Sequence, residues 1–209
     1  MDELVSLINL LEITRKQPQY GYATFGGDAR LGNLAEHHYL VTMIGWQISD
    51  LLNEKGAHID AHKVMQFCLV HDIGELFGGD IGMYYAKANP KAREYAKRFE
   101  EENQRFLSRF FSNKEEARAL TQEILDSQSD EAHIAKIADY LEVTHYKFFA
   151  DPLNKKKDLE LIVPKVKEKI EKVKDLIAKK ELLVFMDVWE KKMKQFDTFL
   201  DATTDALGV

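Results

Sequence analysis

The sequence predicts an all-α protein, a helical bundle closed by a C-terminal helical hairpin, and three observations carry that prediction. Apolar residues recur at three- and four-residue spacing along most of the chain, which is the period of one helix face. No segment alternates apolar and polar residues over the length of a strand. Side chains suited to helix capping, Asn33, Asp60 and Ser129-Asp130, stand just ahead of the apolar stripes.

In chain order, Leu4, Leu7, Ile8 and Leu11 mark a short amphipathic helix ending near Arg15. Residues 16–32 hold Pro18 and the glycines Gly21, Gly26, Gly27 and Gly32, a loop long enough to suggest function. Asn33 with Glu36 three residues later forms a capping-box pattern that opens a helix to about residue 55. Its inward stripe is Leu34, His37, Val41, Ile44, Ile48 and Leu51, and His38, turned by about 100°, is expected to face elsewhere. Gly56 stops that helix, and Asp60 caps a helix over 61–77 whose apolar stripe, Val64, Phe67 and Cys68, runs into His71. Gly78-Gly79 then places Asp80 in a turn. Residues 81–90 read as irregular or weakly helical, and 91–111 as a helix with a stripe at Tyr95, Phe99, Phe106 and Phe110 and a solvated charged face. A helix over about 114–125 carries Glu123, and Ser129-Asp130 opens another that sets Asp139 among Ala132, Ala135 and Val143. Beyond Pro152, residues 155–200 give two charged helices with no chemistry of their own, a covering hairpin or an oligomer surface.

The composition, 45% hydrophobic and 31% charged, fits one globular domain over residues 1–209. A formal net charge of −6 without a basic stripe argues against a nucleic-acid polymer as partner, but leaves room for a small anion received by local cations or a metal. The single Cys68 lies in an apolar run and reads as a small buried hydrophobe. The acidic start Met1-Asp2-Glu3 is no signal peptide, and no apolar run nears the roughly 18 residues of a membrane span, so a cytoplasmic location and no membrane partner are expected.

Function concentrates in Val70-His71-Asp72-Ile73-Gly74-Glu75 and the following Gly79-Asp80. Ionisable residues at the end of a buried helix need a partner, solvent or a metal, because an unpaired buried charge costs several kcal/mol. His37, His71, Asp72 and Asp139 each sit on an inward helical face, and together they make a mixed nitrogen and oxygen donor set. Such a set suits one divalent ion, with Mn²⁺, Co²⁺, Fe²⁺, Ni²⁺, Zn²⁺ or Mg²⁺ all open. Lys136, three residues before Asp139, is the plainer partner for that carboxylate.

At these residues the chain resembles the HD-domain superfamily of metal-dependent phosphohydrolases. Ala35-Glu36-His37, the doublet His71-Asp72 and Lys136-Ile137-Ala138-Asp139 match its motifs, over roughly residues 5–150, with 151–209 as a C-terminal helical extension. The series His71-Asp72-Ile73-Gly74-Glu75-Leu76-Phe77-Gly78-Gly79-Asp80 is similar to the signature of the bacterial 5′-deoxynucleotidase-like branch. The resemblance implies that His37, His71, Asp72 and Asp139 bind the metal, that Glu75 and Asp80 handle the attacking water and substrate, and that Glu123 borders the pocket. Where that branch has an Arg and a Trp in the first loop, this chain has Gln19-Tyr20-Gly21-Tyr22, so Tyr22 is expected to stack on the substrate and Arg15 or Arg30 to receive its phosphate. The expected activity is hydrolysis of a small phosphorylated metabolite, foremost a nucleoside 5′-monophosphate, by a homodimer. Hydrolysis of a nucleoside triphosphate or pyrophosphate bond and a non-catalytic metal- and nucleotide-binding regulatory module are the alternatives.

Overall fold

The helical periods fold into ten α-helices in a computed structural model that describes residues 1–19, 32–150 and 155–208, with Met83 and Tyr84 as backbone only. Among the described residues there is no strand, only an isolated antiparallel bridge between Pro18 and Asn33. None of these helices is long and apolar enough to cross a membrane.

Three helices form the centre: α2 (Leu34–Glu54), α3 (Ala61–Val70) and α7 (Asp130–Ala150). Asn33 opens α2 as its sequence suggests, its side chain accepting the Glu36 amide at 3.0 Å while the Glu36 carboxylate accepts from the Asn33 amide. One turn of α2 lies very close to α3. A Cβ on Gly45 would stand 2.8 Å from the Cys68 sulfur and 3.1 Å from Val64, so only glycine permits this approach. Phe67, Leu52, Ile134, Ile137, Leu141 and Phe148 fill the space between the three helices and are almost fully buried. The inward stripe of α2 closes on Leu52 rather than on Leu51, which is 37% exposed. The straight 3.6-residue period shifts the face by one position over five turns.

α1 (Asp2–Leu11) and a short α4 (Met83–Ala88) flank the centre, so part of residues 81–90 is helical. α5 (Pro90–Leu107) starts with proline in its first turn, where no amide hydrogen is needed, and α6 (Lys114–Asp126) follows. α8 (Lys155–Glu171) packs Leu159, Ile162, Val166 and Ile170 inward and is held to α7 by the buried pair Lys147–Asp158 at 3.6 Å. α9 (Leu176–Gln195) returns beside it, and α10 (Phe199–Leu207) adds a third C-terminal helix to the expected hairpin, its Phe199 ring 5.1 Å from that of Phe149.

Two expectations are corrected near the His-Asp doublet. The helix expected over 61–77 ends at Val70, and Ile73–Phe77 is a 3-10 turn. Side chains of α5 take the carbonyls that the helix releases: Asn103 donates to Gly74 O at 2.7 Å and Gln104 to His71 O at 3.4 Å. The face of α5 that turns inward is therefore polar, with Asn103, Gln104 and Leu107 buried, while Tyr95, Phe99 and Phe106 of the expected stripe are exposed.

Candidate metal centre

Each side chain of the cluster is aimed by an element already described. The Gly45 contact draws α2 onto α3 and brings the His37 and His71 Nε2 atoms to 3.2 Å. The His37 Nε2 stands 3.6 Å from Asp72 Oδ2 and 3.5 Å from Asp139 Oδ1; the corresponding distances from His71 are 3.4 Å and 3.8 Å. All four ligand atoms lie within 4.8 Å of one another.

The opposite ring nitrogens show why the cluster needs a cation. His37 Nδ1 donates to Glu142 Oε2 at 2.6 Å, and His71 Nδ1 donates to the Cys68 carbonyl at 2.9 Å. An imidazole that donates from Nδ1 carries a lone pair on Nε2 when neutral. Two such lone pairs and two carboxylate oxygens thus face one point. Divalent ions with bonds of about 2.0–2.2 Å hold adjacent donors about 3.0–3.5 Å apart, so the spacing fits one ion with little adjustment. Burial disfavours a charge on His37, yet Asp72, Glu142 and Asp139 outweigh it and push its pKa up to about 10, a further sign that the point is built for positive charge. Burial works against ionisation of Asp72 as well, but His71, His37 and Lys136 hold its carboxyl well below the usual range.

Lys136 does not compete for this point. Its Nζ lies 3.9 Å from Asp72 Oδ1 and 3.9 Å from Asp139 Oδ2, the oxygens turned away from the imidazoles. Both the plainer partner and the donor set are thus present, each using a different oxygen. Gln19, near the start of the first loop, donates to Asp72 Oδ2 at 3.1 Å.

His71, Asp72 and Asp139 open onto a cavity of about 420 Å³, whose wall includes Glu75, Asp80 and Glu100. Glu75 Oε2 is buried there without a hydrogen-bond partner among the described residues. Burial, followed by the charges of Asp72 and Asp80, raises its pKa well above that of a free carboxyl. The positive-φ pair Gly78 (φ 90°) and Gly79 (φ 104°) makes the turn that returns Asp80 to this wall.

The expected substrate contacts are placed differently. Arg15 is exposed and paired with Glu12 at 2.9 Å, and Glu123 pairs with Lys63 at 2.8 Å; neither lines the cavity. Tyr22 and Arg30 lie outside the described residues. His38 is buried, with its ring centroid 5.2 Å from that of His71, but it faces a separate apolar cleft of about 930 Å³ walled by Leu11, Trp46, Leu69 and Phe111. Three groups went unread in the sequence. Glu142, three residues after Asp139, shares its helix face and steadies His37; Glu100 reaches the cavity from the polar side of α5; and Lys169 reaches it from α8.

A family profile described as HD domain matches residues 14–179. No curated protein matches the chain. Among solved structures, a protein of Pyrococcus horikoshii OT3 is 22% identical with a TM-score of 0.64, covering 90% of this chain and 98% of its own. A conserved hypothetical protein from Pyrococcus furiosus is 23% identical with a TM-score of 0.59, covering 78% and 98%. A structure named a predicted metal-dependent phosphohydrolase, from Magnetospirillum magnetotacticum MS-1, is 19% identical with a TM-score of 0.65, covering 93% and 92%. At these identities the likeness is one of fold. The profile spans most of the chain and includes every residue of the His37, His71, Asp72 and Asp139 cluster, and the chain belongs to the HD-domain family.

Proposed function

We propose that this protein is a metal-dependent phosphohydrolase that cleaves a small phosphorylated metabolite, with a nucleoside 5′-monophosphate as the substrate, as in the 5′-deoxynucleotidase-like branch of the family. The observation that carries this reading is the meeting of two imidazole Nε2 atoms and two carboxylate oxygens at the floor of a polar cavity that also holds Glu75 and Asp80. The structure named for phosphohydrolysis in M. magnetotacticum shares this fold and adds weight to it.

His37, His71, Asp72 and Asp139 would hold the ion. When bound, the ion lowers the pKa of its water and offsets charge on the phosphoryl oxygens. Glu75, whose partnerless oxygen borders the cluster, accepts the proton of the attacking water. Asp80 orients that water or a substrate hydroxyl from the neighbouring turn. Glu142 fixes the His37 ring and its tautomer, and Lys136 fixes the two carboxylates from behind. A volume of about 420 Å³ is near the lower end of ligand cavities, which favours a mononucleotide-sized molecule over a polymer.

The test is orthophosphate release from a panel of ribo- and deoxynucleoside monophosphates with Mn²⁺ or Co²⁺. Turnover that is lost in Glu75→Gln is the expected result; a metal-loaded protein that hydrolyses no member of the panel contradicts the reading, and release of pyrophosphate or triphosphate from nucleoside triphosphates tested alongside, with the monophosphates left intact, moves it to the alternative bond. We also retain a homodimer as part of this reading, supported by exposed apolar side chains such as Trp46 on α2 and Val184 and Val188 on α9. Sedimentation at a monomer's mass would contradict that part alone.

A further inference from the structure

Five carboxylates line the cavity at the metal centre, an arrangement that repels a phosphate dianion unless cations stand close by. Four cationic side chains share that wall, and two of them are already engaged. Lys136 lies between the outer oxygens of Asp72 and Asp139, and Lys97 faces Glu101 at 3.6 Å. The other two are Arg93 on α5 and Lys169 on α8. Among the described residues neither stands within ion-pairing distance of a carboxylate.

Other cations stand near both of them. Burial first, then the charges of Lys172 and Lys136, lowers the pKa of the half-buried Lys169, so an arriving anion would relieve crowding among cations. Arg93 acts likewise on Lys165, whose Nζ lies 5.8 Å over the ring of Tyr140, another residue of the cavity wall. An uncharged donor borders the same space. Ser127 adopts a left-handed conformation (φ 52°) at the end of α6, and its hydroxyl is buried with no partner among the described residues. A non-glycine residue in that conformation is disfavoured, so it marks a position held by its surroundings.

We propose that Arg93 and Lys169 form the phosphate-receiving subsite of this cavity, binding the non-reacting oxygens of a phosphomonoester dianion beside the metal centre. They take the part that the sequence assigned to Arg15 or Arg30, and they come from two segments read there as a solvated face and a cover. Arg93 offers a planar fork for two oxygens, and Lys169 a compact charge, so the pair suits a tetrahedral anion. The inference rests on the phosphohydrolase reading for the identity of its ligand.

The experiment is calorimetric titration of the Mn²⁺-loaded protein with inorganic phosphate, alongside Mn²⁺ affinity measured separately. Arg93→Gln and Lys169→Gln should each weaken phosphate binding about tenfold or more, the loss expected for one charge-assisted contact, while Mn²⁺ affinity stays within about twofold of wild type. Lys169→Arg should restore most of the binding. Arg98→Gln, whose partner on the same helix is Glu94 at 2.6 Å, serves as the control and should leave it unchanged. Unchanged phosphate affinity in both cavity variants overturns the subsite, as does a wild-type protein that binds no phosphate, or a parallel loss of Mn²⁺ binding, which would make the two residues part of the scaffold. If the nucleotide panel is hydrolysed while the variants bind phosphate normally, the subsite fails and the hydrolase stands. If phosphate binding depends on both residues but no ester is cleaved, the subsite stands and the hydrolase reading fails.

Discussion

Two imidazoles 3.2 Å apart with both Nδ1 atoms already donating are an uncomfortable pair unless a positive charge sits between their Nε2 atoms. Glu142 sets half of that arrangement. It is buried, and its contact with His37 is the familiar carboxylate support of a metal-binding histidine. Glu142→Gln keeps an acceptor for the Nδ1 proton but removes the charge, and should weaken Mn²⁺ binding about 10–100-fold in competition with a chelating dye; wild-type affinity would remove Glu142 from the account. Glu100 gives a prediction about pH. Burial raises its pKa from 4.5 to about 7, helped by Asp72, Asp80 and Glu101 and opposed by Lys136. The folded state therefore binds this proton more tightly than the unfolded chain does, and stability falls as pH rises from about 4.5 towards 7. In thermal melts of chelator-treated protein, Glu100→Gln should exceed wild type at pH 8, and the gap should close near pH 4.5. A gap independent of pH would contradict the stated cause.

The motif depends on how two elements meet. Gly74 sits where the 3-10 turn touches α5, and a Cβ there would come within 2.6 Å of the Glu100 carbonyl. Backbone cannot yield as a side chain can, so Gly74→Ala should cost about 1–3 kcal/mol in urea unfolding and shift the doublet; a neutral substitution would mean that α5 is free to move. The same junction shows which features were legible in the sequence. Caps at Asn33 and Asp60, the all-helical class and the inward faces of His37 and His71 follow from local periodicity, because each depends on residues a turn or two apart. The break after Val70 does not, since it is made by Asn103 and Gln104 some thirty residues on. Apolar periodicity also misassigned the inner face of α5, whose buried residues are largely amides serving freed carbonyls. Glu142 left a readable trace, three residues from Asp139 on the same face, but a charged residue there is ordinarily taken for solvent-exposed.

At the scale of the whole molecule, the C-terminal helices are part of the site as well as its cover. Lys147 and Asp158 join α8 to α7, and α8 in turn carries Lys169 to the cavity. The sequence showed α8 as an amphipathic helix but contained no local sign of what it would face. If residues 1–209 are one domain, as we propose, urea unfolding followed by tryptophan fluorescence, from Trp46 on α2 and Trp189 on α9, should coincide with the loss of far-UV circular dichroism. Separate transitions would divide the C-terminal helices from the centre. The most direct measurement is the metal content of protein equilibrated with Mn²⁺ and freed of excess ion. One equivalent per chain is expected for wild type, with affinity reduced at least about a hundredfold, or roughly 2.8 kcal/mol, in folded His71→Ala and Asp139→Ala; wild-type occupancy in either variant would contradict the metal centre.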